Sequence, residues 1–381
     1  MKRILIFSVA YHPFVGGAGV AVKEITDRVG GIEFDMITLN LDGKQKTEER
    51  IGNVNVYRIG KQGKFSKLMY PFAASRLAKK LHDEKKYDAI WSIMASFSGF
   101  AANFFKKKHP EVPYILTLQE GDPIDYIKKQ VRFVYPWFNE IFTEANKVQA
   151  ISKYLADWAK TMGVTTHVSV IPNGVDLKLF TAPISQPEVT ALENELGKKT
   201  GDVFLVTTSR LVEKNAVGDV IKSLVHLSSH IKLLVIGDGE LRAELETLAK
   251  NGEVSNRVIF LGNKEYKDIP KYLKVSDIFV RPSLSEGMGN SFIEAMAAGI
   301  PIIATPVGGI PDFLKDISEG SAQATGLFCH VSHPQSIAEQ VKKLMDNREL
   351  RDHIVANAQK LVQDNYDWSH IADRMQKEIF S

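Results

Sequence analysis

The chain has 381 residues, of which 44% are hydrophobic and 24% are charged, as is ordinary for a globular protein. This length exceeds the size at which one hydrophobic core keeps growing, so we expect two domains. The single cysteine, Cys329, excludes an internal disulfide, and no apolar stretch approaches the roughly 18 residues that a membrane-spanning helix requires. We therefore expect a soluble, cytoplasmic protein.

The net charge of +3 is unevenly distributed along the chain. Lys and Arg are in excess in residues 1–180, whereas Asp and Glu are in excess in residues 181–381. A basic first half beside an acidic second half indicates two domains with different binding partners.

The first half alternates short apolar runs with amphipathic stretches. Strands are predicted for RILIFSV, FDMITLN, VNVYRI, YDAIWSI and YILTLQ, and helices for residues 19–29, 72–86 and 97–107. The half closes with VQAIS and the extended HVSVIPNGVD. Strands that alternate with helices in this way predict a doubly wound parallel sheet.

The alternation restarts after residues 181–200, which lack a strong period, contain two prolines and form the best linker candidate. Strands are predicted for VFLVTTS, IKLLVIG, RVIFLG, DIFVRPS and PIIAT, with helices near residues 216–227, 240–250, 269–275 and 291–298, and two more at the C-terminus. We predict an α/β protein with two Rossmann-like, doubly wound parallel-sheet domains. Since ligands of such sheets bind beyond the carboxyl ends of the strands, we expect a cleft between the domains.

The most informative segment is SEGMGNSFIEA, which follows the strand DIFVRPS and leads into a helix. Gly287 and Gly289 allow the backbone to approach a ligand, and the helix start adds unpaired N–H donors that suit a phosphate. Glu286 and Glu294 are each able to accept hydrogen bonds from the two hydroxyls of a sugar or ribose. A second interpretation of Glu294 stays open, because Ser291 and Glu294 also have the spacing of a helix capping box.

Two further segments follow predicted strands. Arg210 and Lys214, in SRLVEKN, would stabilise the negative charge of a released diphosphate, although solvated surface cations are the commoner explanation of such a pair. Gly16 and Gly17, in the first strand-to-helix turn, would either let the backbone approach a diphosphate or an acceptor, or only form a tight turn. The spaced dinucleotide fingerprint G-x-G-x-x-G is absent there.

The sequence lacks the residue patterns of several other catalytic classes. We find no His or Cys cluster with metal-ligand spacing, no Asp-x-Asp pair, no phosphate loop ending in Gly-Lys-Ser/Thr and no G-x-S-x-G motif. A metal ion is therefore not implied, and we expect no cofactor.

The motifs together resemble the GT-B glycosyltransferases of family 4, also called group 1. The resemblance covers most of the chain, through the Gly16-Gly17 turn, IPNGVD, SRLVEKN, IGDGELR, RVIFLGN and, most specifically, SEGMGNSFIEAMAAGIPIIAT. It implies an acceptor-binding domain at residues 1–175, completed by a C-terminal helix at 366–381, and a donor-binding domain at residues 176–365. It also implies sugar transfer from a UDP- or GDP-sugar to a hydroxyl group, with retention of anomeric configuration and without a metal.

The resemblance assigns roles to individual residues. Arg210 and Lys214 would bind the donor diphosphate, and Glu294 the ribose. Glu286 would hold the transferred sugar together with the backbone of the following loop. The residues implied for that loop and for the nucleotide base are Gly287, Met288, Gly289 and Asn290, and Gly262, Asn263 and Lys264.

One position departs from the family pattern. Many relatives carry a histidine after the strand that here reads YILTLQ, whereas this chain has Gln119, followed by Glu120 and Asp122. Gln119 is able to donate a hydrogen bond to a sugar hydroxyl but cannot act as an acid or base. Either the leaving phosphate acts as the base, or Glu120 or Asp122 orients the acceptor hydroxyl.

Two basic stretches of the first half, KQGKFSKLMYPFAASRLAKKLHDEKK and IKKQVRFVYPWF, interleave cations with aromatic residues. Such a surface would bind anionic lipid headgroups and would suit a lipid-linked acceptor, although a solvated helix face is the commoner explanation. Nucleic acid is not expected, because no recognition fold accompanies the charge. The alternatives to a glycosyltransferase are a nucleotide-sugar epimerase, a phosphorylase-like or sucrose-synthase-like enzyme, or a non-catalytic sugar-nucleotide-binding protein.

Overall fold

The computed structural model describes residues 1–14, 16–317 and 322–381. The chain divides into two compact units, the first formed by Met1–Asn173 with Trp368–Ser381 and the second by Gly174–Asp367. The expected linker at residues 181–200 is wrong, because this stretch belongs to the second unit and contains the helix Gln186–Glu195. One of its prolines lies in the first turn of this helix, where a missing N–H costs nothing, and Ser185 and Glu188 form a capping box there.

The first unit is built on one sheet. Its strands are β1 (Lys2–Phe7), β2 (Ile32–Leu39), β3 (Glu48–Ile51), β4 (Val54–Ile59), β5 (Ala89–Ile93), β6 (Tyr114–Leu118), β7 (Lys147–Ala150) and β8 (Val168–Val170). They are ordered β3-β4-β2-β1-β5-β6-β7-β8. β3 pairs antiparallel with β4, and the other neighbours pair in parallel.

Helices connect these strands. In this unit they are α1 (Gly17–Arg28), α2 (Lys64–Lys85), α3 (Phe97–Lys106), α4 (Ile124–Val131), α5 (Tyr135–Thr143), α6 (Lys153–Thr161) and α15 (Trp368–Arg374), followed by a π-helical turn at Met375–Ile379. The basic helix expected at residues 72–86 begins earlier, at Lys64, and contains Pro71.

The second unit repeats the architecture with a smaller sheet. Its strands are β9 (Val203–Thr208), β10 (Ile231–Ile236), β11 (Val258–Gly262), β12 (Ile278–Arg281), β13 (Ile302–Ala304) and β14 (Leu327–Phe328), ordered β11-β10-β9-β12-β13-β14 and all parallel. Its helices are α7 (Leu177–Thr181), α8 (Gln186–Glu195), α9 (Val217–Ser223), α10 (Arg242–Asn251), α11 (Ile269–Lys274), α12 (Asn290–Ala298), α13 (Pro334–Asp346) and α14 (Arg348–Asn365).

The C-terminal segment is part of the core of the first unit. Trp368 and Phe380 are buried there, and the Phe380 ring packs edge-on against Trp91 with centroids 5.0 Å apart. A buried aromatic pair of this kind contributes more than its area alone, so the segment stabilises the unit to which it returns.

In each sheet the strand order reverses at one place, between β1 and β5 and between β9 and β12. Loops that leave the carboxyl ends of such strands diverge to opposite faces and form a crevice, the usual ligand site of a doubly wound sheet. The prediction of two such α/β domains is confirmed. Within the described residues, no helix is both long enough and apolar enough to cross a membrane.

Candidate functional site

Two loops of the second unit leave neighbouring strands at its reversal point. The β9 loop (residues 209–216) carries Arg210 and Lys214, and the β12 loop (residues 282–289) carries Glu286. The loops are joined directly, because the Leu284 amide donates a hydrogen bond to the carbonyl oxygen of Lys214 at 2.7 Å. The fold therefore brings the predicted cations and the predicted carboxylate to one edge of one sheet.

An arginine at the end of β12 organises the β12 loop. The Arg281 guanidinium donates hydrogen bonds to Glu286 Oε2 at 2.7 Å, to Asn215 Oδ1 at 2.9 Å and to Ser291 Oγ at 2.7 Å. Arg281 and Glu286 are each only 9% exposed. The Glu286 carboxylate is therefore held as one half of a buried ion pair, in which removal of either partner is costly.

The helix after this loop has no side-chain cap. Gly289, with φ +90°, is the N-cap residue of α12, and Ser291 accepts its hydrogen bond from Arg281 instead of capping the helix. The capping-box interpretation of Glu294 is therefore wrong. It fails because the helix begins at Asn290, which places Ser291 inside the first turn.

Glu294 lies in a setting that favours its neutral form. Burial raises the pKa of this carboxyl to about 7, against the opposing effects of the Arg281 charge and of a hydrogen bond with Tyr266. A carboxylate that loses water in this way gains from ligand hydroxyls as replacement hydrogen-bond donors. The geometry thus suits an oxygen-rich ligand such as a sugar.

Arg210 is exposed, and the loop that carries it is fixed by its neighbours. The Asn215 amide nitrogen donates to the Arg210 carbonyl oxygen at 2.7 Å. After β10, Gly237 and Gly239 lie against this loop, and a Cβ atom at Gly237 would stand 2.0 Å from the carbonyl oxygen of Ser209. The glycines of IGDGELR thus serve the close approach of one loop to another.

The segment predicted to lie near the nucleotide base follows β11. Gly262 has φ +65°, and its carbonyl oxygen accepts a hydrogen bond from the Gly237 amide at 2.8 Å. Asn263 is exposed, and the Lys264 ammonium lies 5.3 Å from the centroid of the Tyr272 ring. The segment thus follows a strand of the sheet that also carries Arg210, and its contact with a base stays a prediction.

The remaining predicted residues belong to the first unit. Gly17 is the first residue of α1 and Gly16 is its exposed N-cap, beside which an added Cβ would meet no described atom within 4 Å. Gln119 follows β6, and its Oε1 accepts a hydrogen bond from Asn173 at 3.3 Å. These residues follow β1 and β6, whereas the other predicted residues lie in the second unit.

Glu120 is a buried carboxyl group beside Gln119. Its Oε1 accepts a hydrogen bond from the Ala95 amide at 2.5 Å, and within residues 1–14, 16–317 and 322–381 its Oε2 has no partner. Burial raises the pKa of Glu120 to about 7. A carboxyl group with this pKa exchanges a proton near neutral pH, which a glutamine cannot do.

Two residues of this arrangement, Arg281 and Asn215, were not predicted as site residues from the sequence. Arg281 reads as a strand-end residue of DIFVRPS, and Asn215 reads as the end of SRLVEKN. The signal that would have found Arg281 is a charged residue inside an otherwise apolar strand, because a charge at such a position needs a buried partner.

One group of metal-ligating side chains does occur in the described residues. Possible ligand atoms of His82, His109 and Glu111 lie within 4.8 Å of one another. However, His82 Nδ1 accepts a hydrogen bond from the Tyr87 amide at 3.1 Å, so the proton of the neutral ring resides on Nε2. A metal-bound histidine shows the opposite arrangement, with its second nitrogen donating, so this group does not have the form of a metal site.

Comparisons with known proteins agree with this architecture. Residues 188–361 match the family model described as glycosyl transferases group 1, and residues 15–179 match the model described as glycosyltransferase family 4. The first match includes the reversal point of the second unit, and the second match begins after β1.

Three relatives show how far the similarity extends. An uncharacterized glycosyltransferase of Methanocaldococcus jannaschii, MJ1178, is 27% identical over 94% of this chain and 93% of its own. A GDP-mannose-dependent monoacylated alpha-(1-6)-phosphatidylinositol monomannoside mannosyltransferase of Corynebacterium glutamicum is 29% identical over 62% of each chain. An alpha-monoglucosyldiacylglycerol synthase of Streptococcus pneumoniae is 28% identical over 79% of this chain and 70% of its own.

Solved structures share the fold over nearly the whole chain. The sucrose-phosphate synthase of Thermosynechococcus elongatus superposes with a TM-score of 0.85 at 20% identity, covering 99% of this chain and 98% of its own. Anabaena HepE in complex with UDP-glucose gives a TM-score of 0.80 at 18% identity and full coverage of both chains.

Proposed function

Because the chain belongs to the family 4, group 1 glycosyltransferases and has the GT-B fold, we propose that it transfers a sugar from a UDP- or GDP-sugar to a hydroxyl acceptor. The proposal includes retention of anomeric configuration and independence from a metal ion. The observation that carries it is the buried Arg281–Glu286 ion pair at the reversal point, on a loop bonded to the one that bears Arg210 and Lys214.

The proposed donor site divides the nucleotide sugar among separate groups. Arg210 and Lys214 would bind the diphosphate, and their positive charge would stabilise the charge that develops on it as the sugar leaves. The ionised Glu294 carboxylate would accept hydrogen bonds from the ribose hydroxyls. Glu286 and the amides of Gly287 to Asn290 would hold the transferred sugar.

The nucleotide and the sugar are proposed only as a class. The Corynebacterium relative is GDP-mannose-dependent by name, and the HepE complex contains UDP-glucose. These two compounds are therefore the first donors to test on this chain.

The first unit is proposed to bind the acceptor, and Glu120 is the residue there with the properties of a proton acceptor. Its pKa of about 7 leaves a useful fraction ionised at neutral pH, and burial would strengthen its hydrogen bond to an acceptor hydroxyl. Gln119 would donate a hydrogen bond to a sugar hydroxyl, and Asp122 is the exposed alternative.

Two observations favour a lipid-linked acceptor, one from the relatives and one from the surface of this chain. Two relatives carry lipids in their names, a phosphatidylinositol mannoside and a glucosyldiacylglycerol. In this chain the segment around α4 and α5 exposes Phe133 and Trp137 next to Lys128, Lys129 and Arg132. Exposed aromatic rings among cations are a combination that binds anionic lipid surfaces, so we include peripheral membrane contact in the proposal.

The test begins with donor binding. Thermal unfolding is measured with UDP, GDP, UDP-glucose and GDP-mannose, since a ligand at a hundred times its Kd stabilises by about 2.7 kcal/mol. Turnover is then measured with the donor that binds, with and without a lipid extract as acceptor. Glu286→Gln should lower the rate about 10²–10³-fold, whereas Glu244→Gln, at an exposed position of α10, should not.

The outcomes separate the proposal from its alternatives. Product formed only with acceptor supports transfer, whereas an isomerised donor without acceptor would indicate the epimerase, which family membership does not favour. Donor binding without any turnover would indicate a non-catalytic binding protein. Product with the opposite anomeric configuration, or activity lost to a chelator, would contradict the corresponding part of the proposal.

A further inference from the structure

We propose that Arg281 is a positioning residue of the donor site, which fixes the Glu286 carboxylate by tying it to the β9 loop and to the start of α12. The inference rests on the proposed function, in which Glu286 holds the transferred sugar. None of the family motifs singles out this arginine, and its role follows from its contacts.

The guanidinium of Arg281 links three segments of the second unit. It donates to Glu286 in the β12 loop, to Asn215 in the β9 loop and to Ser291 in the first turn of α12. Asn215 continues the link, because its amide nitrogen donates to the carbonyl oxygen of Arg210. One side chain therefore sets the Glu286 carboxylate relative to the segment that carries Arg210.

The geometry of the guanidinium makes this link directional. Its donors lie in one rigid plane, so three simultaneous hydrogen bonds restrict the plane and thereby the carboxylate. The guanidinium carbon also lies 5.5 Å from the centroid of the Phe292 ring, a distance typical of a cation–π contact. A lysine would keep the charge but could not reproduce this fork, which makes Arg281→Lys an informative substitution.

Stability alone does not account for this arginine. Desolvation offsets most of the attraction within a buried ion pair, and apolar side chains of similar volume often stabilise a protein more. In addition, Arg281 Nε has no hydrogen-bond partner in the part of the chain that the structure describes, which adds a further cost. Retention of such a group is expected where it orients a functional carboxylate.

If Arg281 acts through Glu286, its removal should weaken binding of the sugar and spare binding of the nucleotide. The measured quantity is the ratio of the Kd of UDP to that of UDP-glucose, or of GDP to GDP-mannose, whichever pair the protein binds. Isothermal titration calorimetry at pH 9 keeps Glu294 ionised, so that a change at Glu294 does not enter the comparison.

Four variants are compared with the unsubstituted protein: Arg281→Met, Arg281→Lys, Glu286→Gln and the double variant Arg281→Met/Glu286→Gln. Arg281→Met and Glu286→Gln should each reduce the Kd ratio about tenfold or more, the loss expected for one hydrogen bond to a charged group. The double variant should show no further reduction, because both changes remove the same oriented carboxylate. Arg281→Lys retains the buried positive charge and serves as the second variant if Arg281→Met does not fold. It should also lower the Kd ratio close to that of Glu286→Gln.

A structural arginine of the same unit provides the matched control. In the described part of the chain, Arg257 donates to three backbone carbonyl oxygens, those of Leu224, Ser228 and Ile231, each at 2.9 Å, and to no side chain. Arg257→Met should lower the midpoint of thermal unfolding and leave the Kd ratio within twofold. If Arg257→Met lowers the Kd ratio as much as the Arg281 variants do, Arg281 has only a structural role.

Two results distinguish failure of this inference from failure of the proposed function. If Glu286→Gln removes the ratio and the Arg281 variants retain it, or if the two effects add in the double variant, the positioning role is wrong and the role of Glu286 stands. If Glu286→Gln itself retains the ratio, the proposed contact between Glu286 and the sugar is wrong.

Discussion

The carbonyl oxygen of Glu286 lies directly against Gly308, where an added Cβ atom would stand 1.8 Å away. Gly308 has φ +56°, and the amide of the next residue, Gly309, donates to the same carbonyl oxygen at 3.1 Å. The loop after β13 therefore fixes the main chain of Glu286, while Arg281 holds its side chain.

This close approach predicts that Gly308→Ala disturbs the donor site. The new Cβ would overlap a backbone oxygen that has no flexible end to move, so the β12 loop must shift. We expect the midpoint of thermal unfolding to fall and the affinity for the nucleotide sugar to fall about tenfold or more. Calorimetric titration with UDP-glucose and GDP-mannose measures the second effect.

Gly197 supplies the control for the backbone conformation. It has φ +65°, close to that of Gly308, but an added Cβ there would meet no described atom within 4 Å. Gly197→Ala should cost only about 1 kcal/mol of unfolding free energy, for the left-handed conformation, and leave binding unchanged. Equal effects of the two substitutions would refute the claim that contact with Glu286 matters.

The second prediction concerns the pH dependence of donor binding. With a pKa of about 7, Glu294 is half ionised near neutral pH, and only the ionised form accepts hydrogen bonds from both ribose hydroxyls. Affinity for the nucleotide sugar should therefore rise between pH 6 and pH 8. Titration with an intact nucleotide sugar avoids the second ionisation of a terminal phosphate, which lies near pH 6.

The stability of the ligand-free protein should depend on pH in the direction opposite to that of donor affinity. A carboxyl group with a raised pKa in the folded state adds stability below its unfolded pKa, and this stability is lost as the pH rises through about 7. Glu294→Gln should remove both dependences and bind the donor more weakly at pH 8. A pH profile that is the same in Glu294→Gln would show that another group is responsible.

Much of the fold was predictable because buried parallel strands leave continuous apolar runs in the sequence, as in RILIFSV and IKLLVIG. The predicted linker is wrong because Pro187 does not interrupt the secondary structure. It lies in the first turn of α8, where a proline is tolerated. The start of α2 was placed late because exposed aromatic residues, such as Phe65 and Phe72, obscure its helical period.

The candidate site was only partly predictable. Glu286, Arg210 and Lys214 were placed together by the rule that ligands bind at the carboxyl ends of parallel strands. Arg281 and Asn215 are 66 positions apart and meet only because β9 and β12 are neighbours, which no local spacing encodes. The contact of Gly308 with Glu286 was missed for the same reason.

The third prediction uses the buried carboxyl group of the first unit. Because burial raises the pKa of Glu120 to about 7, the stability of the folded state falls as the pH rises from the ordinary pKa of a glutamate through that value. Glu120→Gln keeps an acceptor for the Ala95 amide and removes the charge. It should therefore raise the free energy of unfolding at pH 8 by about 2–3 kcal/mol and change it little at pH 4.5.

Activity of the same variant tests the proposed role of Glu120. If Glu120 accepts a proton or orients the acceptor hydroxyl, Glu120→Gln should be more stable at pH 8 and transfer sugar at least tenfold more slowly. The exposed Glu84 provides the control, since Glu84→Gln should change neither property. A stabilised Glu120→Gln variant with full activity would leave the acceptor side to Gln119, Asp122 or the leaving phosphate.

The last prediction concerns the aromatic residues around α4 and α5. Phe133 is 80% exposed, and the guanidinium carbon of Arg132 lies 4.5 Å from the centroid of its ring, so an apolar group and a cation are presented together. Vesicles of phosphatidylcholine with and without an anionic phospholipid should distinguish the two contributions. We expect co-sedimentation with the anionic vesicles at low salt and a marked loss at high salt, because screening weakens exposed charges.

Phe133→Ser together with Trp137→Ser should reduce vesicle binding even at low salt, because burial of two aromatic side chains in the interface is lost. Lys128→Glu together with Lys129→Glu should reduce it only with anionic vesicles. Val225→Ser, at a position of the second unit that is 59% exposed, removes an exposed apolar side chain elsewhere and should have no effect. Binding that survives the first two pairs of substitutions would exclude this surface as the membrane contact.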